Sequence, residues 1–141
     1  MDESQSAARA PIPVPVPNAD NAGFWEACRR HELRLQRCRA CGQLRHPPRP
    51  MCPQCTALEH EWAAVSGRGT VYSFTIVHGP TLAAFQEHAP YNVVVVQLAE
   101  GPFMVSNLVG CNAGDIRIGM PVEVVFEAIA ETTTLPKFQP V

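Results

Sequence analysis

The segment Cys38-Arg39-Ala40-Cys41-Gly42, followed ten residues later by Cys52-Pro53-Gln54-Cys55, decides how this chain folds. Each is a C-x-x-C knuckle, a turn that aims two thiolates at one ion about 2.3 Å away, and two such turns complete a tetrahedron. Gly42 follows the first knuckle where a positive φ is wanted, and Pro53 fixes φ inside the second. Four sulfurs close the coordination shell and leave no place for water or substrate. The spacing therefore predicts a structural zinc held by Cys38, Cys41, Cys52 and Cys55, not a hydrolytic one. Rubredoxin-type iron is the competing ion, told apart by its colour; against it, Thr56 stands where an iron knuckle usually has glycine. A redox dithiol pair is the third reading, and two coupled pairs at this spacing fit it less well than a metal. His46, between the knuckles, is a spare ligand that four cysteines make unnecessary.

Outward from the knuckles the chain reads as a ribbon. Leu33-Arg34-Leu35-Gln36 alternates like a strand entering the first knuckle, and Glu59-His60-Glu61-Trp62 returns as its partner. Pro47, Pro48 and Pro50 stiffen the loop between the knuckles. Residues 33–62 hold few large apolar side chains, so binding the ion is also what folds this unit. Ahead of it, Asp20 or Asn21 can cap a short helix running to about Arg30, with Phe24, Ala27, Cys28 and His31 on one stripe at i, i+3, i+4, i+7. Cys28 there reads as a small buried hydrophobe. Further back, proline at every second position of Pro11-Ile12-Pro13-Val14-Pro15-Val16-Pro17 enforces an extended backbone. This arm is either a spacer or a docking strip on which Ile12, Val14 and Val16 form an apolar row.

Beyond Gly67 the pattern turns to β. Strands are predicted near 69–78, 92–99, 102–109, 121–128 and 132–138, with turn signals at Gly101-Pro102, Gly110 to Gly114 and Gly119 to Pro121. Five strands in so short a span predict a small barrel. Val93-Val94-Val95-Val96 is apolar on both faces, which predicts an inner strand covered on both sides. Residues 79–91, with Leu82, Phe85 and Tyr91, form the longest connection and the expected ligand or partner loop, flanked by His78 and His88, which read as surface histidines. Cys111 lacks a neighbouring histidine and is not expected to be a nucleophile. The expected partition is an arm over 1–19, helix plus ribbon over 20–66 and barrel over 67–141.

With 141 residues the chain is too short for a Rossmann or barrel enzyme scaffold, and 14 prolines, about twice the usual ~5%, argue against a helical bundle. The net charge of −2 hides a separation. Seven arginines against Glu32 give residues 29–49 a charge of +6, whereas residues 69–141 carry −4. No stretch approaches the ~20 apolar residues of a membrane span, and Met1-Asp2-Glu3-Ser4 lacks the basic start of a signal peptide, so a cytoplasmic protein without disulfides is expected. G-x-S-x-G, H-E-x-x-H and Walker patterns are absent, and Gly67-Arg68-Gly69 lacks the third glycine of a dinucleotide fingerprint. It reads instead as the turn from ribbon into barrel.

Taken together, Phe24-Trp25-Glu26, the two knuckles, Pro47-Pro48-Arg49, Trp62 and Gly67-Arg68-Gly69-Thr70-Val71-Tyr72-Ser73-Phe74-Thr75 resemble the zinc-ribbon plus OB-fold proteins that accompany thiolase-like enzymes. Pro90-Tyr91, Glu100-Gly101, Ile118-Gly119-Met120 and Leu135-Pro136-x-Phe138 extend the resemblance to the C-terminus, so it covers about residues 20–141. It implies a mainly β fold: an N-terminal helix, a rubredoxin-like zinc ribbon and a five-stranded OB-fold barrel. It also implies a non-catalytic subunit that binds a thiolase, acyltransferase or lipid-transfer-type aldolase and helps form or stabilise its acyl-CoA site. A coenzyme A thioester is then expected at the partner interface, with Arg68, Phe74, Phe85 and Tyr91 as candidate contacts. The alternative is a single-stranded nucleic-acid-binding protein, since ribbons and OB barrels both do that; the −4 barrel and a pI near 6.2 speak against it. An independent enzyme or redox carrier is the third class.

Overall fold

A computed structural model describes residues 11–141. The polar start of the predicted arm, including Met1-Asp2-Glu3-Ser4, lies outside the described residues. From Pro11 to Pro17 the chain is extended, then turns at Asn18, whose Oδ1 accepts from the amides of Asp20 and Asn21 at 2.9 and 3.0 Å. Helix α1 (Ala22–Arg29) follows, burying Phe24, Ala27 and Cys28. Asn21 sits at its N-cap but makes no side-chain cap bond, because its Oδ1 accepts from the Asn18 amide instead. The apolar stripe also stops short of His31. That residue takes φ 59° just past the helix, where its amide and that of Glu32 bond back to Cys28 and Ala27 in a Schellman closure. Its ring is exposed and stacks on Phe126.

The ribbon is a three-stranded antiparallel sheet in the order β2-β1-β3, built from β1 (Arg34–Cys38), β2 (Leu44–Arg45) and β3 (His60–Ala64). Cys38 pairs with His60 and Gln36 with Trp62, so the two predicted strands do pair with each other. Gly23 of α1 lies against the Trp62 ring so closely that a Cβ there would overlap the indole. The helix is thereby pinned to the ribbon.

The barrel comprises β4 (Arg68–Val77), β5 (Tyr91–Leu98), β6 (Phe103–Ser106), β7 (Pro121–Ala130) and β8 (Thr133–Pro140), in the order β6-β5-β4-β7-β8. Gly67 takes φ +78° to turn the chain out of the ribbon. Gly69 then passes so near the Gln97 carbonyl that a side chain would clash. After three pairs with β7, strand β4 bulges between Val71 and Ser73 and continues along β5, the curvature a small barrel requires. The circle nearly closes through a parallel bridge between Leu108 and Phe138, where the Val109 amide donates to the Phe138 carbonyl at 2.8 Å. These observations make the chain mainly β, with an N-terminal helix, a four-cysteine zinc ribbon and a nearly closed five-stranded barrel.

Two expectations are corrected in detail. Strand β6 stops at Ser106 instead of 109, because the Asn92 side chain takes over both backbone groups of Leu108, accepting from its amide at 2.6 Å and donating to its carbonyl at 2.8 Å. Within the four-valine run, Val94 and Val96 are fully buried but Val93 and Val95 are only half covered, so the strand is central yet sheathed on one face. The core is continuous. Phe24, Cys28, Leu33 and Leu35 belong to the same cluster as Val71, Val96, Leu98, Met104 and Phe138. Helix and ribbon therefore gain from the barrel the apolar burial that residues 33–62 lack alone.

Candidate functional site

The four knuckle sulfurs converge. All lie within 4.8 Å of one another, with Cys38 to Cys55 at 3.5 Å and Cys41 to Cys52 at 3.7 Å. A tetrahedron with ~2.3 Å metal–sulfur bonds has edges of about 3.8 Å, so the set fits a zinc-sized ion. The two turns are near copies. Gly42 and Thr56 each donate their amide to the carbonyl of the first cysteine of their knuckle at 2.9 Å, and each takes a positive φ, 77° and 66°. Backbone amides prepare the sulfurs for ionisation. The Cys41 amide holds the Cys38 thiol down to about 6, and the Cys55 amide lowers Cys52. The Ala57 amide also pulls on Cys55, but the neighbouring sulfurs, Cys38 foremost, outweigh it and carry that thiol up to about 11. Four thiolates cannot share this space unless a cation joins them.

Behind the knuckles lies a polar network with no signature in the sequence pattern. Gln36 is fully buried, and its Oε1 accepts from Arg45 Nε and the Arg49 amide, both at 2.8 Å. Its Nε2 donates to the Asp20 carbonyl at 3.3 Å and sits 3.4 Å from His60 Nε2. Arg45 is buried as well, and its guanidinium reaches the Arg49 carbonyl at 3.1 Å. One side chain thus ties the entry to α1, the knuckle loop and β3 together. His46 does not turn to the metal site; it packs on Phe24, and desolvation, with Arg49 nearby, pushes its imidazole down to about 4. The arginine field is also smaller than the count over 29–49 implied. Arg30, Arg34 and Arg37 are paired with Glu26, Glu32 and Glu61.

The candidate ligand contacts divide. Phe85 and Tyr91 lie together, ring centroids 5.9 Å apart, on a cavity of about 600 Å³. Arg68 stands exposed at the opposite end of β4, whose last residue, Val77, pairs with Tyr91. Ten residues of strand place some 30 Å between the two ends. Phe74 is half-buried between them and packs on the core. His88 lines the same cavity as Phe85 and is exposed, as is His78. Cys28 is wholly buried and its thiol is pushed up to about 12, while Cys111 is half-buried with its sulfur 3.5 Å from the Asn112 carbonyl.

A surface the sequence reading missed lies outside the barrel on β4, β5 and β6. Tyr72, Phe103 and Val105 are 57%, 43% and 68% exposed, Tyr72 and Phe103 touch edge to face at 4.8 Å, and half-buried Val93 and Val95 continue the patch. None of these five residues is charged, although Arg45, Arg49 and Glu100 line a groove next to Phe103. The signal of the patch was present in the alternation of Phe103-Met104-Val105, whose odd members point away from the core.

Comparisons with known proteins agree with this architecture. Residues 25–61 match the model of the ChsH2 rubredoxin-like zinc ribbon domain, and residues 62–127 match that of the ChsH2 C-terminal OB-fold domain. A probable enoyl-CoA hydratase alpha subunit of Thermomonospora curvata is 40% identical over 139 residues, 99% of this chain but 43% of that protein, so the chain spans less than half of that relative. A DUF35 domain-containing scaffold protein of Methanocaldococcus jannaschii is 38% identical over 96 residues, 67% of each chain. Among solved structures, a chain described as Ltp2-ChsH2(DUF35) aldolase superposes with a TM-score of 0.81 at 43% identity, covering 89% of this chain and 98% of that one. Among the described residues, no helix is long and apolar enough to cross a membrane. With both halves matched and the cysteine tetrad in place, the chain belongs to the ChsH2-type DUF35 family of zinc ribbons joined to an OB-fold.

Proposed function

We propose that this chain is a non-catalytic accessory subunit, that it docks on a thiolase-like enzyme in the cytoplasm, and that it helps form or stabilise that enzyme's acyl-CoA site. The observation that carries the reading is the exposed apolar face of Tyr72, Phe103 and Val105 on a chain with no catalytic constellation in its sequence. Exposed contiguous apolar surface of this kind marks protein contact sites. Names among the relatives support it: scaffold protein, hydratase alpha subunit, and an aldolase in which a DUF35 chain takes part. In this reading Cys38, Cys41, Cys52 and Cys55 hold a structural zinc that fixes the ribbon, and the chain is organised as arm 1–19, helix plus ribbon 20–66 and OB barrel 67–141. A coenzyme A thioester would lie at the partner interface, and of the four candidate contacts Phe85 and Tyr91 are the pair that one ligand can touch together.

The nucleic-acid alternative draws no support from the same face. Strands of an OB barrel that track a phosphate backbone carry cations beside their aromatic rings, whereas Tyr72 packs on Phe103 and the neighbouring strand positions on β5 and β6 are Val93, Val95 and Val105; the arginines near Phe103, Arg45 and Arg49, belong to the ribbon and share its groove with Glu100. Val105→Glu, on the open surface, tests the proposal. Complex formation with the thiolase-like partner is expected to weaken at least tenfold, with the melting temperature of the isolated chain unchanged. Unaltered assembly of that variant would remove this face from the account.

A further inference from the structure

The cavity beside Phe85 has a roof that the barrel does not supply. Ile12, Pro13 and Pro15 of the extended arm line it on one side, and Phe85, Pro90 and Tyr91 on another. Leu108, Ile129 and Leu135 form the barrel wall. At about 600 Å³ it falls within the ~300–1,000 Å³ range of pockets that bury a small organic molecule.

The polar groups around it are few, and most are already satisfied. Asn92 spends its amide on the Leu108 backbone, and Asn107 donates to the Asn92 carbonyl. Lys137 is largely buried, with its side chain 17% exposed; its Nζ donates to Asn107 Oδ1 at 2.9 Å and lies 3.8 Å from Glu127 Oε2. An ammonium has three protons and only the one to Asn107 is committed at hydrogen-bond distance, so a proton remains for a ligand even with Glu127 nearby. The Tyr91 hydroxyl makes no hydrogen bond to any other described residue. Lys137 Nζ and the Tyr91 hydroxyl are thus donors with protons to spare beside a mostly apolar wall, to which exposed His88 also contributes its imidazole, and among the described lining residues the one ammonium is already balanced by the Glu127 carboxylate.

From this we infer that the arm-roofed cavity binds an uncharged apolar molecule carrying a carbonyl oxygen, which takes its hydrogen bonds from Lys137 Nζ and the Tyr91 hydroxyl. An anion would compete with Glu127 for the lysine, and a pure hydrocarbon would leave both donors without an acceptor. Free ketones and the acyl part of thioesters share the required chemistry. The site belongs to the chain itself and stands whether or not the accessory-subunit reading does.

Zinc-loaded full-length chain is titrated calorimetrically with 2-octanone, with the hexanoyl thioester of N-acetylcysteamine, with octane and with octanoate. Saturable binding of one or both carbonyl probes, at least tenfold tighter than octane and octanoate, is expected. The tighter of the two then identifies ketone or thioester as the source. Tyr91→Phe and Lys137→Met should each weaken the carbonyl probes about 3- to 10-fold, the loss of one hydrogen bond, without affecting octane. Ile129→Trp, which fills the space, should abolish binding while zinc content and melting temperature persist. Absence of saturable carbonyl binding, equal affinity for octane, preference for octanoate, or wild-type affinity in the folded Tyr91→Phe and Ile129→Trp variants would each overturn the inference.

Discussion

Replacing Gln36 with leucine removes the hub that joins three segments, and the structure fixes what that costs. The side chain is fully buried and of similar volume to leucine, so packing changes little and the loss is polar. Two bonds at 2.8 Å disappear, one from the charged Arg45 Nε and one from the Arg49 amide. The guanidinium stays buried at 5% exposure with no acid in contact among the described residues, so its donor cannot turn to water. An unsatisfied buried neutral donor costs ~1–3 kcal/mol and a charged one more; the combined loss is about 4 kcal/mol. For a chain of this size that lowers the melting temperature by roughly 10–20 °C. Calorimetry or circular dichroism of zinc-saturated protein reads it. Gln36→Glu separates the cause: a carboxylate keeps both acceptor bonds and gives Arg45 an opposite charge, at the cost of turning the 3.3 Å donation to the Asp20 carbonyl into a contact between two acceptors, so it should recover about half of the deficit. A leucine variant within about 1 kcal/mol of wild type, or a glutamate variant less stable than the leucine one, would refute the hub.

Cys38→Ser should release the metal and unfold the ribbon, read as loss of the one zinc per chain by elemental analysis together with loss of assembly. Thr56→Gly removes a β-branched residue from φ 66° and should stabilise the zinc-bound protein by ~1 kcal/mol; a destabilised variant would show that the strain is compensated by the Thr56 hydroxyl bond to the Cys55 carbonyl. His46 is held neutral in the fold down to about 4, while an unfolded histidine takes its proton near ~6.5. Its contribution is therefore complete above that value and lost as pH falls towards 4, about 2 kcal/mol at pH 5. The stability difference between wild type and His46→Gln should shrink by that amount between pH 7 and pH 5. A thiol reagent at pH 8 should find Cys111 in the native zinc protein and reach Cys28, pushed up to about 12 by burial, only after unfolding.

The parts of this molecule that were legible in its sequence are those enforced locally. Paired cysteines at fixed spacing, Gly67 and Gly69 at the turn from ribbon into barrel, and the alternation of β4 to β8 each announce their own geometry. Gln36 did not, because a glutamine in a strand beside arginines reads as surface, and its partners lie 9 to 24 residues away or are backbone atoms. The arginine field was overestimated for a related reason. Counting to residue 49 left out Glu61, which the antiparallel register brings opposite Arg37. Strand β6 is shorter than its sequence pattern predicts because a side chain, Asn92, takes the place of backbone pairing at Leu108. The arm was seen as extended, but that Pro13 and Pro15 would roof a cavity depends on where the barrel lies beneath them.

The central claim is that this chain works by joining another enzyme. The most direct test reconstitutes purified zinc-loaded chain with the thiolase-like enzyme of its own host and measures mass and turnover of an acyl-CoA together. A stable complex of defined mass, in which carbon–carbon bond chemistry is at least tenfold faster than with either component alone, is the expected result. Turnover of the thioester by this chain without a partner, or a thiolase-like enzyme that neither binds it nor responds to it, would contradict the account.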